Sequence, residues 1–201
     1  DPQLNTLWKK AQRTLYINMR DTYMDCPERE RAQWWGDVVN QMSESFYSLC
    51  PKSHLLARKG ILELIAWQKE DSTLFAPVPA GNWGNELPMQ MLNSVGYYGF
   101  RTYLLYTGDT ATIRQVLPGV KKYLAIWKID ENGHVENRPG GWTWGDWGIN
   151  KDMPVLYDTW YALACKGYAF MADVLGKQEE NAWALERIEK IGENFNASFW
   201  T

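Results

Sequence analysis

Thirteen residues near the start of the chain carry the side chains that acid–base chemistry on a sugar requires. This stretch, residues 25–37, contains Asp25, Glu28, Glu30, Asp37, two arginines and the adjacent Trp34 and Trp35. A packed core does not accommodate so many charges beside large aromatics, because unpaired buried charge is costly. A carbohydrate site does, since carboxylates exchange protons, charged groups bind hydroxyls and indole faces stack on sugar rings. The stretch therefore indicates a sugar site.

The spacing within this stretch predicts how the side chains are presented. Pro27 excludes a helix at the start, because proline lacks a backbone donor and restricts the preceding residue. From Glu30 onward the spacing is helical, which would place Glu30, Trp34 and Asp37 on one face. We therefore predict a loop followed by a helix that begins near Glu30. The alternative is a solvated helix start, where acidic residues also favour the helix dipole.

Two later segments combine tryptophans with acidic residues beside glycines. Their candidate sugar-binding side chains are Trp83 and Glu86 in the first segment and Trp142, Asp146 and Trp147 in the second. Glycine lets a ligand approach the backbone closely. Taken alone, the first segment is also typical of a capped helix start, and the second of a loop anchored by aromatic residues.

Helical periodicity covers most of the chain and predicts an all-α fold. The predicted helices begin near Pro2, Glu30, Ser53, Met89, Thr110, Val155 and Gln178. Their connections alternate between long and short, with short ones at 50–53, 107–109 and 176–177. In antiparallel helices alternate connections lie at the same end, so the three polar-aromatic clusters are predicted to meet. Antiparallel helical hairpins with functional loops at one end are typical of an α/α toroid, of which seven helices form about half.

Composition limits the class of function. A chain of 201 residues suits one domain, and a net charge of −3 argues against a nucleic-acid partner. No apolar run approaches the roughly 20 residues of a membrane span, so no membrane partner is expected. Two histidines argue against a histidine-built metal site, and no metal or cofactor is predicted. Three cysteines predict no disulfide framework.

The motifs together resemble bacterial α-L-rhamnosidases of glycoside hydrolase family 78, whose catalytic domain is a six-hairpin (α/α)6 barrel. The matching residues are Asp25-Cys26-Pro27, Arg29-Glu30-Arg31, Trp34, Gly36-Asp37, Trp83-Gly84, Tyr106-Thr107-Gly108-Asp109 and Gly145-Asp146-Trp147. The resemblance covers nearly the whole chain in the family's order, and the first motif is the specific one. Residues 1–201 would then form a single partial six-hairpin glycosidase domain.

This resemblance implies an inverting acid–base hydrolysis of terminal α-L-rhamnosides in glycosides or polysaccharides. Glu30 matches the family's general acid. The residues that match hydroxyl-binding or sugar-lining positions are Asp25, Arg29, Asp37, Trp34, Trp83 and Trp147. The implied partner is a rhamnose-containing carbohydrate, and the implied compartment is periplasmic or extracellular.

The chain also departs from the family pattern. Ala32-Gln33-Trp34-Trp35 stands where the family often has Leu-Gly-Trp-Thr, which predicts a bulkier wall beside the acid. Asn85 replaces the family's aspartate, although Glu86 is adjacent and could substitute for it. The family's general base is a glutamate in the second half of the barrel, beyond residue 201. We therefore expect these residues alone to be inactive, with the remaining half of the barrel as their partner.

Other interpretations stay open at this point. One is a non-catalytic carbohydrate-binding or degenerate toroid, and another is a six-hairpin glycosidase for a different sugar. A terpene-cyclase-like toroid would need aspartate-rich metal motifs, and none is evident in the sequence. A half ring would also leave Leu7, Leu15, Trp183 and Ile188 without packing partners, which predicts self-association.

Overall fold

The computed structural model describes residues 1–80, 84–138, 143, 145 and 148–200. The helices of this part are α1 Pro2–Asn18, α2 Trp35–Ser48, a 3-10 turn at Pro51–Ser53, α3 His54–Ala66, α4 Pro88–Val95, α5 Phe100–Thr107, α6 Thr110–Ala125, α7 Met153–Val174 and α8 Gln178–Phe199. Extended pairing among the same residues is limited to three isolated bridges. The predicted all-α fold is confirmed.

Capping side chains fix several of the helix starts. The Asp1 carboxylate accepts the Gln3 N–H (2.7 Å), and the Asp109 carboxylate accepts the Thr112 N–H (2.9 Å). Such caps satisfy backbone donors that a helix leaves unpaired. α3 begins directly after Ser53, in agreement with the start predicted near that residue. The Ser53 hydroxyl donates to the Cys50 carbonyl (2.8 Å) and does not cap α3.

The single helix predicted after Met89 is two helices, α4 and α5, separated at residues 96–99. The break coincides with a close backbone contact between this segment and α7. A Cβ atom at Gly96 would lie 2.5 Å from the Ala164 Cα, and one at Gly167 would lie 2.5 Å from the Gly96 carbonyl carbon. Because glycine has no side chain, the backbone at residue 96 can pass close to α7 at Gly167. The chain changes direction at this contact.

Two of the short turns are neighbours at one end of the helices. The Phe46 ring stacks on Tyr106 (4.8 Å between centroids) and meets His54 edge-on (5.0 Å). These rings belong to the helices that flank the turns at 50–53 and 107–109. The two turns therefore pack together.

The long connections meet at the other end. The Trp34 backbone pairs with Pro77, and the Ala76 N–H donates to the Asn85 carbonyl (3.1 Å). The Met89 N–H donates to the Thr143 carbonyl (3.3 Å), which brings the third long connection to the start of α4. The described parts of the three long connections thus share one end of the fold, as the alternation predicted.

Several apolar side chains on the first and last helices are only partly covered. Leu7 is exposed, and Trp183 and Ile188 are partly buried. Leu15 contradicts the expectation, because it is only 4% exposed where α1 packs on α2. Along α7 and α8 an apolar groove of about 430 Å3 includes Ala162, Ile191 and Phe195.

No described helix is both long enough and apolar enough to cross a membrane. In the same part of the chain, no three His, Cys, Asp or Glu side chains are grouped so that they could hold a metal ion.

Candidate functional site

Residues 25–32 form a closed loop that Asp25 holds together. The Asp25 N–H donates to the Ala32 carbonyl (3.0 Å), and the Ala32 N–H donates back to the Asp25 carboxylate (3.0 Å). Within the loop the Glu30 N–H donates to the Cys26 sulfur (3.3 Å). Arg31 turns the chain with a φ of 51°, in the left-handed region that is uncommon for a non-glycine residue. Asp25 therefore shapes the loop that carries Glu30.

The helix predicted from Glu30 begins five residues later, at Trp35. Residues 33–35 are instead paired with the long connection after α3: the Trp35 N–H donates to Ala76 (3.1 Å), and the Val78 N–H donates to Gln33 (3.3 Å). Extended pairing and helical geometry are incompatible for the same residues. The predicted helical face of Glu30, Trp34 and Asp37 is therefore wrong, and loop geometry positions Glu30.

Glu30 lies at the surface of this loop and forms an ion pair with its neighbour. The Arg29 guanidinium contacts the Glu30 carboxylate at 2.5 Å, and the two side chains are 81% and 37% exposed. The sugar contact that the resemblance implies for Arg29 stays a prediction, since its guanidinium here pairs with Glu30. Exposed pairs of this kind contribute only about 0–1 kcal/mol, so a ligand can compete for either group.

Asp37 lies in the first turn of α2 and interacts electrostatically with the loop carboxylates. Although Asp37 is exposed at the surface, its pKa is raised above the ordinary aspartate value, first because neighbouring protein atoms partly desolvate the carboxylate and then because Asp25 carries a like charge. The charge of Glu30 raises the same pKa further. Asp25, Glu30 and Asp37, which the sequence singled out, therefore belong to one electrostatic cluster.

A cavity of about 500 Å3 opens beside Asp37. Its lining residues are Gly36, Asp37 and Asn40 from α2, Met89, Gln90 and Asn93 from α4, Gly145, and Leu156 and Trp160 from α7. The volume lies within the usual range of small-molecule sites. The lining combines a carboxylate and three amides with apolar side chains, which suits a ligand that has both hydroxyl and hydrocarbon surface.

The raised pKa of Asp37 predicts how stability depends on pH. The folded protein binds the Asp37 proton more tightly than the unfolded chain, so protonation of Asp37 stabilises the fold. This stabilisation is complete below the ordinary aspartate pKa of about 3.9 and is lost as pH rises through the raised pKa of the folded protein. Asp37→Asn cannot ionise and should unfold at a higher temperature than the parent at pH 7. Thermal unfolding from pH 3 to 7 checks this expectation.

Asp71→Asn is the control, because the pKa of Asp71 is shifted in the opposite direction from that of Asp37. Hydrogen bonds from the Thr73 hydroxyl and N–H lower the pKa of Asp71. Its replacement should not raise the unfolding temperature at pH 7. If Asp37→Asn unfolds at a lower temperature than the parent at pH 7, the carboxylate cluster does not strain the folded state as described.

The two tryptophans of the motif have different surroundings. Trp34 is half-buried, packs against the core and directly precedes α2. Trp35 is fully buried and meets Phe100 edge-on (5.8 Å between centroids). The bulkier wall predicted beside the acid is therefore wrong for Trp35, which fills the core because α2 has already begun there.

Glu86 takes part in a buried ion pair. Arg138 donates to both Glu86 oxygens (2.8 and 2.7 Å), and the Tyr123 hydroxyl donates to one of them (2.7 Å). The Arg138 guanidinium also lies 4.8 Å from the centre of the Trp127 ring. The pair connects the second and third long connections. Contact between Glu86 and a sugar stays a prediction, with the carboxylate already held by three donors.

The other predicted sugar-binding residues, Trp83, Trp142, Asp146 and Trp147, lie outside the described residues. Conversely, sequence reasoning missed Asn40, Gln90, Asn93 and Trp160, which line the cavity. The sequence signal that could have found two of them is on α4, where the amides Gln90 and Asn93 stand among residues that are otherwise buried. Their spacing of three residues places them on one helix face.

A Ser–His–Asp chain away from this cavity has a structural role. Asp158, which is buried, contacts the His134 Nδ1 (2.7 Å) and accepts the Val135 N–H (2.7 Å), and the His134 Nε2 contacts the Ser198 hydroxyl (2.9 Å). A serine nucleophile needs N–H donors for the oxyanion. Ser198 instead lies in the last turn of α8, where carbonyl oxygens are presented. These hydrogen bonds tether the third long connection, which carries His134, to α7 and α8.

The fold thus combines antiparallel helical hairpins with a cavity lined by Asp37 and by residues of α2, α4 and α7. The chain belongs to the bacterial α-L-rhamnosidase six-hairpin glycosidase domain family, whose model matches residues 1–201. A comparison with curated protein sequences found no significant match.

Solved rhamnosidase structures share the fold. A family 78 rhamnosidase from Bacillus sp. GL1 matches 100% of this chain and 21% of its own, with 24% identity and a TM-score of 0.86. The α-L-rhamnosidase of Dictyoglomus thermophilum matches 96% of this chain and 23% of its own (20% identity, TM-score 0.77). A Streptomyces avermitilis α-L-rhamnosidase complexed with L-rhamnose matches 100% of this chain and 19% of its own (22% identity, TM-score 0.73). The chain thus spans about a fifth of the length of these structures.

Proposed function

We propose that this chain forms part of the catalytic domain of an enzyme that hydrolyses terminal α-L-rhamnosides with inversion. The observation that carries the proposal is that Asp37, which lines a cavity of about 500 Å3, interacts electrostatically with Asp25 and Glu30. Membership of the rhamnosidase family supports the reaction class. The L-rhamnose complex of one similar structure supports the identity of the sugar.

In the proposed reaction Glu30 is the general acid. It donates its proton to the glycosidic oxygen while the bond from that oxygen to C1 breaks. A second carboxylate takes a proton from a water molecule, whose oxygen bonds to C1 from the opposite face. Inverting enzymes separate the two carboxyl groups by roughly 6.5–9.5 Å, which leaves room for this water. The products are the free alcohol and β-L-rhamnose.

The residues proposed to bind the sugar come from all three long connections and from α2. They are Asp25, Arg29, Trp34 and Asp37 from the first long connection and α2, and Trp83, Glu86, Trp142, Asp146 and Trp147 from the other two. Met89, Leu156 and Trp160 supply an apolar wall in the cavity. This wall suits the methyl group of a 6-deoxy sugar, because burying apolar surface is favourable.

The general base is proposed to lie outside these 201 residues, in the remaining helices of the barrel. The much greater length of the solved relatives supports this division. The apolar groove along α7 and α8 supports it as well, since it offers surface against which a further hairpin could pack.

The test uses the intact protein and a pair of aryl glycosides. We expect hydrolysis of an aryl α-L-rhamnoside, with β-L-rhamnose as the first product seen by proton NMR. The matching α-L-mannoside, which adds only a hydroxyl at C6, should react more slowly because that hydroxyl meets the apolar wall. Initial formation of α-L-rhamnose would contradict inversion. Sugar binding without turnover would identify a carbohydrate-binding protein instead.

A further inference from the structure

Two amide side chains of α4 face the cavity without an assigned role. Gln90 and Asn93 line it together with Asp37 and Asn40. The side-chain oxygens of both Gln90 and Asn93 are buried, and neither has a hydrogen-bond partner among the described residues. Buried polar atoms are nearly always paired in native proteins, so two unpaired oxygens show that the protein alone does not complete the hydrogen bonding of these amides.

A hydroxylated ligand is the partner that fits this cavity. A sugar hydroxyl both donates and accepts a hydrogen bond. Rotating either amide by 180° exchanges its oxygen and nitrogen without changing the shape of the side chain. A sugar hydroxyl can therefore pair with whichever of the two atoms faces the cavity. An anion would meet the negative charges of Asp25, Glu30 and Asp37, which disfavours it.

Gly36 makes room for the Gln90 amide. A Cβ atom at position 36 would lie 2.7 Å from the Gln90 Cδ and 3.0 Å from each of the two terminal atoms. The amide thus lies directly over the first turn of α2, next to Asp37. Since the amide is the flexible end of a side chain, a methyl group at position 36 would displace it and leave the helices in place.

We propose that Gln90 and Asn93 bind hydroxyls of the sugar held in this cavity and that Gly36 permits the Gln90 contact. The proposal rests on the proposed function and names two further residues that determine its specificity. Asp37 and the two amides bind the hydroxyl side of the sugar, while Leu156 and Trp160 contact its apolar side.

The test compares variants of the intact protein on an aryl α-L-rhamnoside: Gln90→Met, Asn93→Leu, Gly36→Ala and a control. Gln90→Met keeps the side-chain length and removes the amide, and should lower kcat/KM about tenfold, mainly through KM. Gly36→Ala should reproduce much of this loss. The double variant should be no worse than Gln90→Met alone, because both changes remove one contact. Gln115→Met, at an exposed position of α6, is the control and should match the parent.

Each outcome decides the proposal. If Gln90→Met and Asn93→Leu both fold and both stay within twofold of the parent, the amides do not bind the sugar. If Gln90→Met fails to fold, Gly36→Ala decides, and parental KM with Gly36→Ala overturns the proposal.

A binding assay separates this proposal from the proposed function. L-Rhamnose is titrated while tryptophan fluorescence is followed, since Trp160 lines the cavity. Hydrolysis by the parent with unchanged variants leaves the proposed function standing and overturns only the amide contacts. Without hydrolysis, binding that Gln90→Met weakens supports the amide contacts and rejects hydrolysis. A parent that neither binds L-rhamnose nor hydrolyses the rhamnoside overturns both.

Discussion

Glu30→Gln in the intact protein should slow the hydrolysis of alkyl α-L-rhamnosides by about a hundredfold to ten-thousandfold. A general acid contributes this much when the leaving alcohol must be protonated as the bond breaks. An aryl rhamnoside with a strongly acidic phenol should lose far less, because that leaving group departs without a proton. Measuring kcat for both substrate types with the same variant gives the comparison.

Glu28→Gln is the matched control for this prediction. Glu28 lies two residues before Glu30 in the same loop and is also exposed. Its replacement removes one negative charge from the loop and should change kcat by less than about threefold, since exposed charges interact weakly. Equal losses on alkyl and aryl substrates with Glu30→Gln would show that Glu30 binds the sugar and does not protonate the leaving group.

Arg138→Met should lower the free energy of unfolding by about 3–5 kcal/mol. The change leaves the Glu86 carboxylate without its two guanidinium bonds at a site where the side chains of Arg138 and Glu86 are 15% and 10% exposed. Breaking a buried pair from one side costs this much because the remaining charge stays uncompensated. Urea denaturation followed by circular dichroism measures the loss.

Two further variants show whether burial of the ion pair causes the loss of stability expected for Arg138→Met. Arg29→Met removes the same side chain from a pair in which the arginine is 81% exposed, and should cost no more than about 1 kcal/mol. The double variant Arg138→Met with Glu86→Gln should recover part of the loss, since no uncompensated charge remains. If Arg138→Met and Arg29→Met cost the same, the Glu86 pair does not anchor the two long connections.

The sequence was sufficient for features that depend on local pattern. Apolar spacing predicted the helices, and Asp1 and Asp109 cap α1 and α6 through bonds to residues two or three positions away. The alternation of long and short connections also predicted which loops meet. Each of these features depends on neighbours in the chain or on their order.

The differences arise where distant segments meet. Residues 33–35 pair with residues 76–78, and this contact delays the start of α2 and places Trp35 in the core. Glu86 meets Arg138 across 52 positions, so the pattern around Glu86 alone suggested a sugar contact or a capped helix start, but not this ion pair. Gln90 reaches the cavity because Gly36 on another helix leaves room for it. Local spacing carries no information about such contacts.

A crystal structure of the intact Glu30→Gln protein with a bound aryl α-L-rhamnoside tests the site most directly. We expect the rhamnose ring to lie in the cavity between Asp37 and the Gln90 and Asn93 amides, with residue 30 within hydrogen-bond reach of the glycosidic oxygen. A rhamnoside bound elsewhere, or one whose glycosidic oxygen points away from residue 30, would contradict it.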